Sequence, residues 1–113
     1  MPTIAISLDP QKLPNPDTDI RYALPDLLVA RSSGAIADEG YDYVGEDAHL
    51  VLFLSAADTT KALAVVREVI AGEDVLGNKL SEAAVVALKE SSGYRVVYPL
   101  DFKGVFQTNE EKT

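Results

Sequence analysis

The single histidine of this 113-residue chain, His49, stands two positions after Asp47. An imidazole beside a carboxylate is the pairing that a general base uses, and a lone imidazole can also ligate a metal. The neighbours of His49 point elsewhere. It opens the apolar run Leu50 to Leu54 directly after a turn, where a histidine serves structure more often than chemistry. Ser32, Ser33, Ser55, Ser91 and Ser92 fall at predicted helix ends and turns, where hydroxyls cap backbone groups, and none lies in a G-x-S-x-G elbow. Neither G-x-x-x-x-G-K-[ST] nor G-x-G-x-x-G occurs, and Arg21, Arg31, Arg67 and Arg95 are scattered, so no phosphate-binding loop is written into the chain. With no cysteine there are no disulfides, thiolate metal sites or cysteine nucleophiles. The expectation is a non-enzymatic protein with no catalytic residues, cofactor or metal. An acid–base enzyme using Asp, Glu and His49 is the weakest alternative.

Charge carries more information. Between Arg31 and Lys61 there is no lysine or arginine, yet Asp38, Glu39, Asp42, Glu46, Asp47 and Asp58 all lie there, and they account for most of the net charge of −8. The densest part, Asp38 to Asp47, interleaves carboxylates with Tyr41 and Tyr43 and with two glycines. Carboxylates form charge-assisted hydrogen bonds with Lys and Arg, and tyrosines give rigid amphipathic contact area. Asp38, Glu39, Tyr41, Asp42, Tyr43, Glu46 and Asp47 are therefore the candidate contacts for a basic protein partner. The plain alternative is an edge strand whose charges prevent unwanted pairing. Calcium coordination fits poorly, because Asp38-Glu39-Gly40-Tyr41-Asp42 breaks the ligand order of an EF-hand loop.

Strong acidity repels phosphate backbones and anionic lipid heads, which argues against nucleic-acid and membrane roles. The longest apolar run is far too short to span a bilayer, and the opening Met1-Pro2-Thr3-Ile4 lacks the basic start of a secretory signal. A cytoplasmic location is expected. The composition, 47% hydrophobic and 25% charged, is that of one globular domain.

The elements that must position these residues follow from periodicity. Ile4, Ile6 and Leu8 alternate with Thr3, Ala5 and Ser7 as in a half-buried strand. After Pro10, Pro14 and Pro16, the apolar positions Leu24, Leu27 and Leu28 take helical spacing, with Gly34 as the stop. Because proline suits only the first helical turn, the helix is expected to begin near Leu24 or Pro25, leaving Ile20 to Tyr22 as a turn or short extended piece. Ala35 to Val44 and His49 to Ser55 read as a hairpin with an acidic outer strand and an inner strand apolar on both faces. Strict alternation on the outer strand would put Ala35, Ala37, Glu39, Tyr41 and Tyr43 on one side, and Ile36, Asp38, Gly40, Asp42 and Val44 on the other. A second helix runs from an Asp58 cap to Gly72, with Ala62, Leu63, Val66, Val69 and Ile70 inward. A loop around Gly77-Asn78 follows, then Ala83 to Leu88 and Tyr94 to Tyr98 as a second hairpin.

This order is βαββαβ with one added C-terminal strand, an α+β, ferredoxin-like architecture. It implies an antiparallel sheet of order 2-3-1-4-5, counting the five strands along the chain, with both helices on one face. Residues 1–99 form the expected domain, and 100–113 an extension with a frayed end. The helix-free face would be apolar, from Ala5, Val51 or Phe53, Val85 and Val96. Homodimerisation, burial by Phe102 and Phe106, or a ligand groove would each cover it.

Two functional expectations result. The first is a small acidic binding module for a basic protein, in its concrete form an immunity protein or antitoxin that fills the basic cleft of a nuclease-type toxin. The second is a dimeric ferredoxin-like regulatory or small-ligand-binding domain that uses the open sheet face.

Overall fold

The alternation of Ile4, Ile6 and Leu8 with smaller residues forms β1 (Thr3–Leu8), the middle strand of the sheet. The structure, a computed structural model, describes residues 3–12, 19–44, 49–72, 74–75, 78–81, 83–90 and 93–98. A 3-10 turn (Pro10–Lys12) follows β1, then α1 (Ile20–Arg31), β2 (Ile36–Val44), β3 (His49–Ala56) and α2 (Thr59–Gly72). Next come the two-residue strands β4 (Asp74–Val75) and β5 (Asn78–Lys79), then β6 (Ala84–Glu90) and β7 (Gly93–Tyr98). The predicted extension 100–113 lies outside the described residues, as do Glu46 and Asp47.

The main sheet has the order β2-β3-β1-β6-β7, and every neighbouring pair is antiparallel. Taken as five strands along the chain this is 2-3-1-4-5. Both halves are split βαβ units: β1-α1-β2 encloses β3, and β3-α2-β6 encloses β1. The topology is ferredoxin-like with one added edge strand. Where a loop was expected around Gly77-Asn78, β4 and β5 pair as a small separate ribbon.

The two sheet faces bury different sets. Ile4, Ile6, Leu8, Leu52, Leu54 and Val86 face both helices and pack against Leu24, Leu28, Val66 and Ile70. The opposite face gathers Ala5, Val44, Val51 and Ala87, with Phe53, Val85, Tyr94 and Val96 partly buried around them. No residue of either helix belongs to that second cluster. Since β1, β3 and β6 are apolar on both faces, they occupy the interior of the sheet.

Helix α1 corrects the expected start. It begins at Ile20, so Pro25 sits in its second turn rather than its first. A proline there removes one backbone hydrogen bond and costs about 3 kcal/mol in an ordinary helix. The stripe Ile20, Leu24 and Leu28, buried one turn apart together with Pro25 itself, offsets that cost, each large side chain contributing roughly 2 kcal/mol. The added turn also has its start secured, because the N–H groups of Tyr22 and Ala23 both donate to the Asp19 carbonyl.

The other end of α1 closes as a Schellman turn. Gly34 N–H donates to the Val29 carbonyl and Ser33 N–H to that of Ala30. It is Ser33, at φ 54°, that takes the left-handed position, and Gly34 follows at φ 85°. Ser32 Oγ donates to the Val29 carbonyl and accepts the N–H of Ile36, tying the helix end to the start of β2. Helix α2 is capped as expected, with Lys61 N–H donating to Asp58 Oδ1 at 3.1 Å. Its Arg67 reaches the far edge and donates to the carbonyl of Val97, the residue that bulges from β7 between the pairs Ala87/Val96 and Val86/Tyr98. Among the described residues no helix is long and apolar enough to cross a membrane.

Candidate protein-binding surface

The acidic strand β2 is an edge strand, and it does not alternate simply. Its pairing with β3 steps from Asp38/Leu54 to Tyr41/Leu52, so two residues of β2, Glu39 and Gly40, stand opposite the single Phe53. This is a β-bulge, and a bulge resets which side chains share a face. Directly paired residues in an antiparallel sheet point the same way, and Leu50, Leu52 and Leu54 face the helices. Ile36, Asp38, Tyr41 and Tyr43 therefore lie on the helix side, while Ala37, Asp42 and Val44 lie on the open side. Strict alternation, which grouped Asp38 with Asp42 and set both apart from the tyrosines, is overturned by the bulge.

The bulge has a local cause. Gly40 takes φ 103°, a conformation that glycine adopts freely and other residues rarely do, and its N–H donates to Asp38 Oδ1 at 2.9 Å. The Asp-x-Gly sequence thus supplies both the hinge and the acceptor that holds it. Asp42 Oδ1 likewise accepts the N–H of Tyr43. Two of the expected partner-binding carboxylates, Asp38 and Asp42, are thus also used to shape the strand.

The consequence is an aromatic cluster. Tyr41 meets Tyr22 of α1 edge-to-face, with centroids 6.1 Å apart and planes at 90°. It meets Tyr43 in the same manner on its other side, at 6.0 Å and 79°. Arg21 lies among all three. Its guanidinium carbon is 4.7 Å from the Tyr22 ring centroid and 5.3 Å from that of Tyr41, and Nη1 donates to the Tyr43 hydroxyl at 3.5 Å. Arg21 Nε is sealed from solvent and has no acceptor among the described residues. The hydrogen bond to Tyr43, then that to Tyr22, raises the Arg21 pKa. In turn the Arg21 hydrogen bond lowers the pKa of Tyr22, and the hydrogen bond shared with Tyr22 raises that of Tyr41.

These rings are not core. Tyr22, Tyr41 and Tyr43 are 50%, 40% and 41% exposed, and they are the large hydrophobic side chains exposed among the described residues. Asp38 and Glu39 are exposed beside them, and Asp42 is half-buried. Of the seven expected contacts the structure therefore brings five to one edge; Glu46 and Asp47 lie outside the described residues. Sequence reasoning missed Arg21 and Tyr22. Their signal was the Ile20, Leu24, Leu28 spacing, which extends the helix back through them, but Pro25 obscured it.

His49, at the start of β3, has Nε2 3.6 Å from Asp9 Oδ1, and both side chains are partly exposed. The same Asp9 oxygen accepts the N–H of Gln11, so it organises the turn after β1. Ser55 is buried mid-sheet, and among the described residues its Oγ has no hydrogen-bond partner. Among the described residues no group of three or more His, Cys, Asp or Glu side chains is gathered to hold a metal ion. In comparisons with protein-family models, curated proteins and solved structures, the chain matches none.

Proposed function

We propose that this protein is a non-enzymatic binding module that engages a basic protein through the β2 edge. The observation that carries this reading is the convergence of exposed Tyr22, Tyr41 and Tyr43 on the strand that holds Asp38, Glu39 and Asp42. Tyrosine and arginine are enriched at the energetic centres of interfaces, and a carboxylate surround steers a basic partner toward them. An immunity protein or antitoxin against a nuclease-type toxin is the concrete form, since a nuclease presents a basic cleft for nucleic acid. The test is affinity capture from the source cell at low and high salt. A basic protein retained at low salt and lost at high salt supports the proposal, and the Asp38→Asn/Asp42→Asn variant should associate with it more slowly and with weaker salt dependence. Unchanged kinetics would reject it.

A second reading has its own observation. The helix-free face carries the apolar cluster of Ala5, Val44, Val51 and Ala87, which suits a dimeric regulatory or small-ligand-binding domain. Light scattering after size exclusion distinguishes the two, because a monomer at every concentration removes the dimer.

A further inference from the structure

Resting on the basic-partner reading, we infer that Tyr22, Tyr41 and Tyr43 are the recognition platform itself, built to stack the guanidinium groups of a partner's arginines, while the β2 acids steer the approach. The molecule contains an internal precedent for that chemistry. Arg21 already lies against the rings of Tyr22 and Tyr41, so these rings accept a planar cation in this setting. The two edge-to-face contacts hold the three rings in fixed mutual orientations, and the hydrogen bond from Arg21 to Tyr43 ties the set to α1. A platform ordered before binding loses little side-chain entropy when a partner arrives. Arg21 is thus a positioning residue. Its single positive charge is outweighed by Asp19, whose charge acts on Tyr22, together with Asp38 on the same side of β2 and the exposed Glu39 of the bulge, so the surround stays attractive to cations.

Arginine suits the platform better than lysine. A guanidinium is flat and weakly hydrated and stacks on aromatic faces, whereas an ammonium is a compact, strongly hydrated charge. The partner surface that fits is one that displays arginines.

The experiment uses the full chain and three short synthetic peptides in which glycine alternates with arginine, lysine or glutamate. Binding is followed by the ring-proton NMR signals of the five tyrosines, with Tyr94 and Tyr98 on the far edge strand β7 as internal controls. The arginine peptide should move the signals of Tyr22, Tyr41 and Tyr43 and leave the controls in place. Tyr41→Ala should weaken it about tenfold, the loss typical of a truncated interface anchor, while Tyr41→Phe keeps the ring and most of the affinity. Tyr22→Ala, an exposed helix substitution, should also weaken it with the fold intact. If the arginine peptide binds but the three rings do not move and Tyr41→Ala binds as well as the native chain, the platform is wrong and the acidic-edge reading stands. If the lysine peptide binds as tightly as the arginine peptide and moves the same rings, selectivity for guanidinium is wrong. If neither basic peptide binds, or the glutamate peptide binds equally well, both the platform and the basic-partner reading fall.

Discussion

The guanidinium of Arg21, in the first turn of α1, lies 5.3 Å from the centre of the Tyr41 ring on β2. A cation in a first helical turn opposes the helix dipole, whose positive end is there. The electron-rich rings of Tyr22 and Tyr41 supply the compensating partner, and the contact joins the start of a helix to an edge of the sheet.

That contact should be visible in titration. Arg21 favours the ionised form of Tyr22, so its hydrogen bond lowers the Tyr22 pKa, and the hydrogen bond that Tyr41 shares with Tyr22, with the phenolate charge beside it, makes Tyr41 harder to ionise. Removing the cation removes the stabilisation of the phenolate, which raises the pKa. In Arg21→Gln the first tyrosine ionisation should move to higher pH, as followed by the ultraviolet absorbance of phenolate. Tyr22→Phe should abolish that early phase. A native profile retained in Arg21→Gln would show that the contact has no electrostatic effect.

Gly40 isolates the backbone contribution of the bulge. Among the described residues a Cβ placed there would meet nothing within 4 Å, so the φ of 103° is what opposes a side chain. Gly40→Ala should destabilise the protein by about 1 kcal/mol in urea unfolding. Gly72, equally open but without a positive φ, should accept alanine with no loss, as helix propensity favours it.

Ser33 presents the reverse case. It occupies the left-handed position of the α1 Schellman turn with a side chain that glycine would lack. Ser33→Gly should raise stability by about 0.5–1 kcal/mol through relief of that conformation. A thermal melt unchanged or lowered by the substitution would count against the assigned turn.

Two buried positions of β3 should respond differently. Ser55 is only 6% exposed, and its hydroxyl has no partner among the described residues, so Ser55→Ala removes a buried polar group and should be neutral or stabilising by up to about 1 kcal/mol. Leu52, fully buried against the helices, should lose about 2–5 kcal/mol on truncation to alanine. Chemical denaturation of both variants gives the comparison directly.

The sequence by itself determined the five long strands, the two helices, their order around the sheet and the acidic character of one edge. These are recorded in local patterns: period-two alternation in β1, apolar residues on both faces of β3 and β6, and helical spacing with an Asp58 cap in α2. Each such pattern reflects whether a side chain meets solvent or core, which neighbouring residues are enough to reveal. Only the tertiary structure decided the rest. The burial of Ile20 against the sheet extends α1 past the obstacle of Pro25, and the bulge at Glu39 and Gly40 turns Tyr41 and Tyr43 to the helix side. Together those two events place Arg21 and Tyr22 against β2. The cluster depends on contacts between residues far apart in the chain, whose favourable energy exists only once helix and sheet have packed.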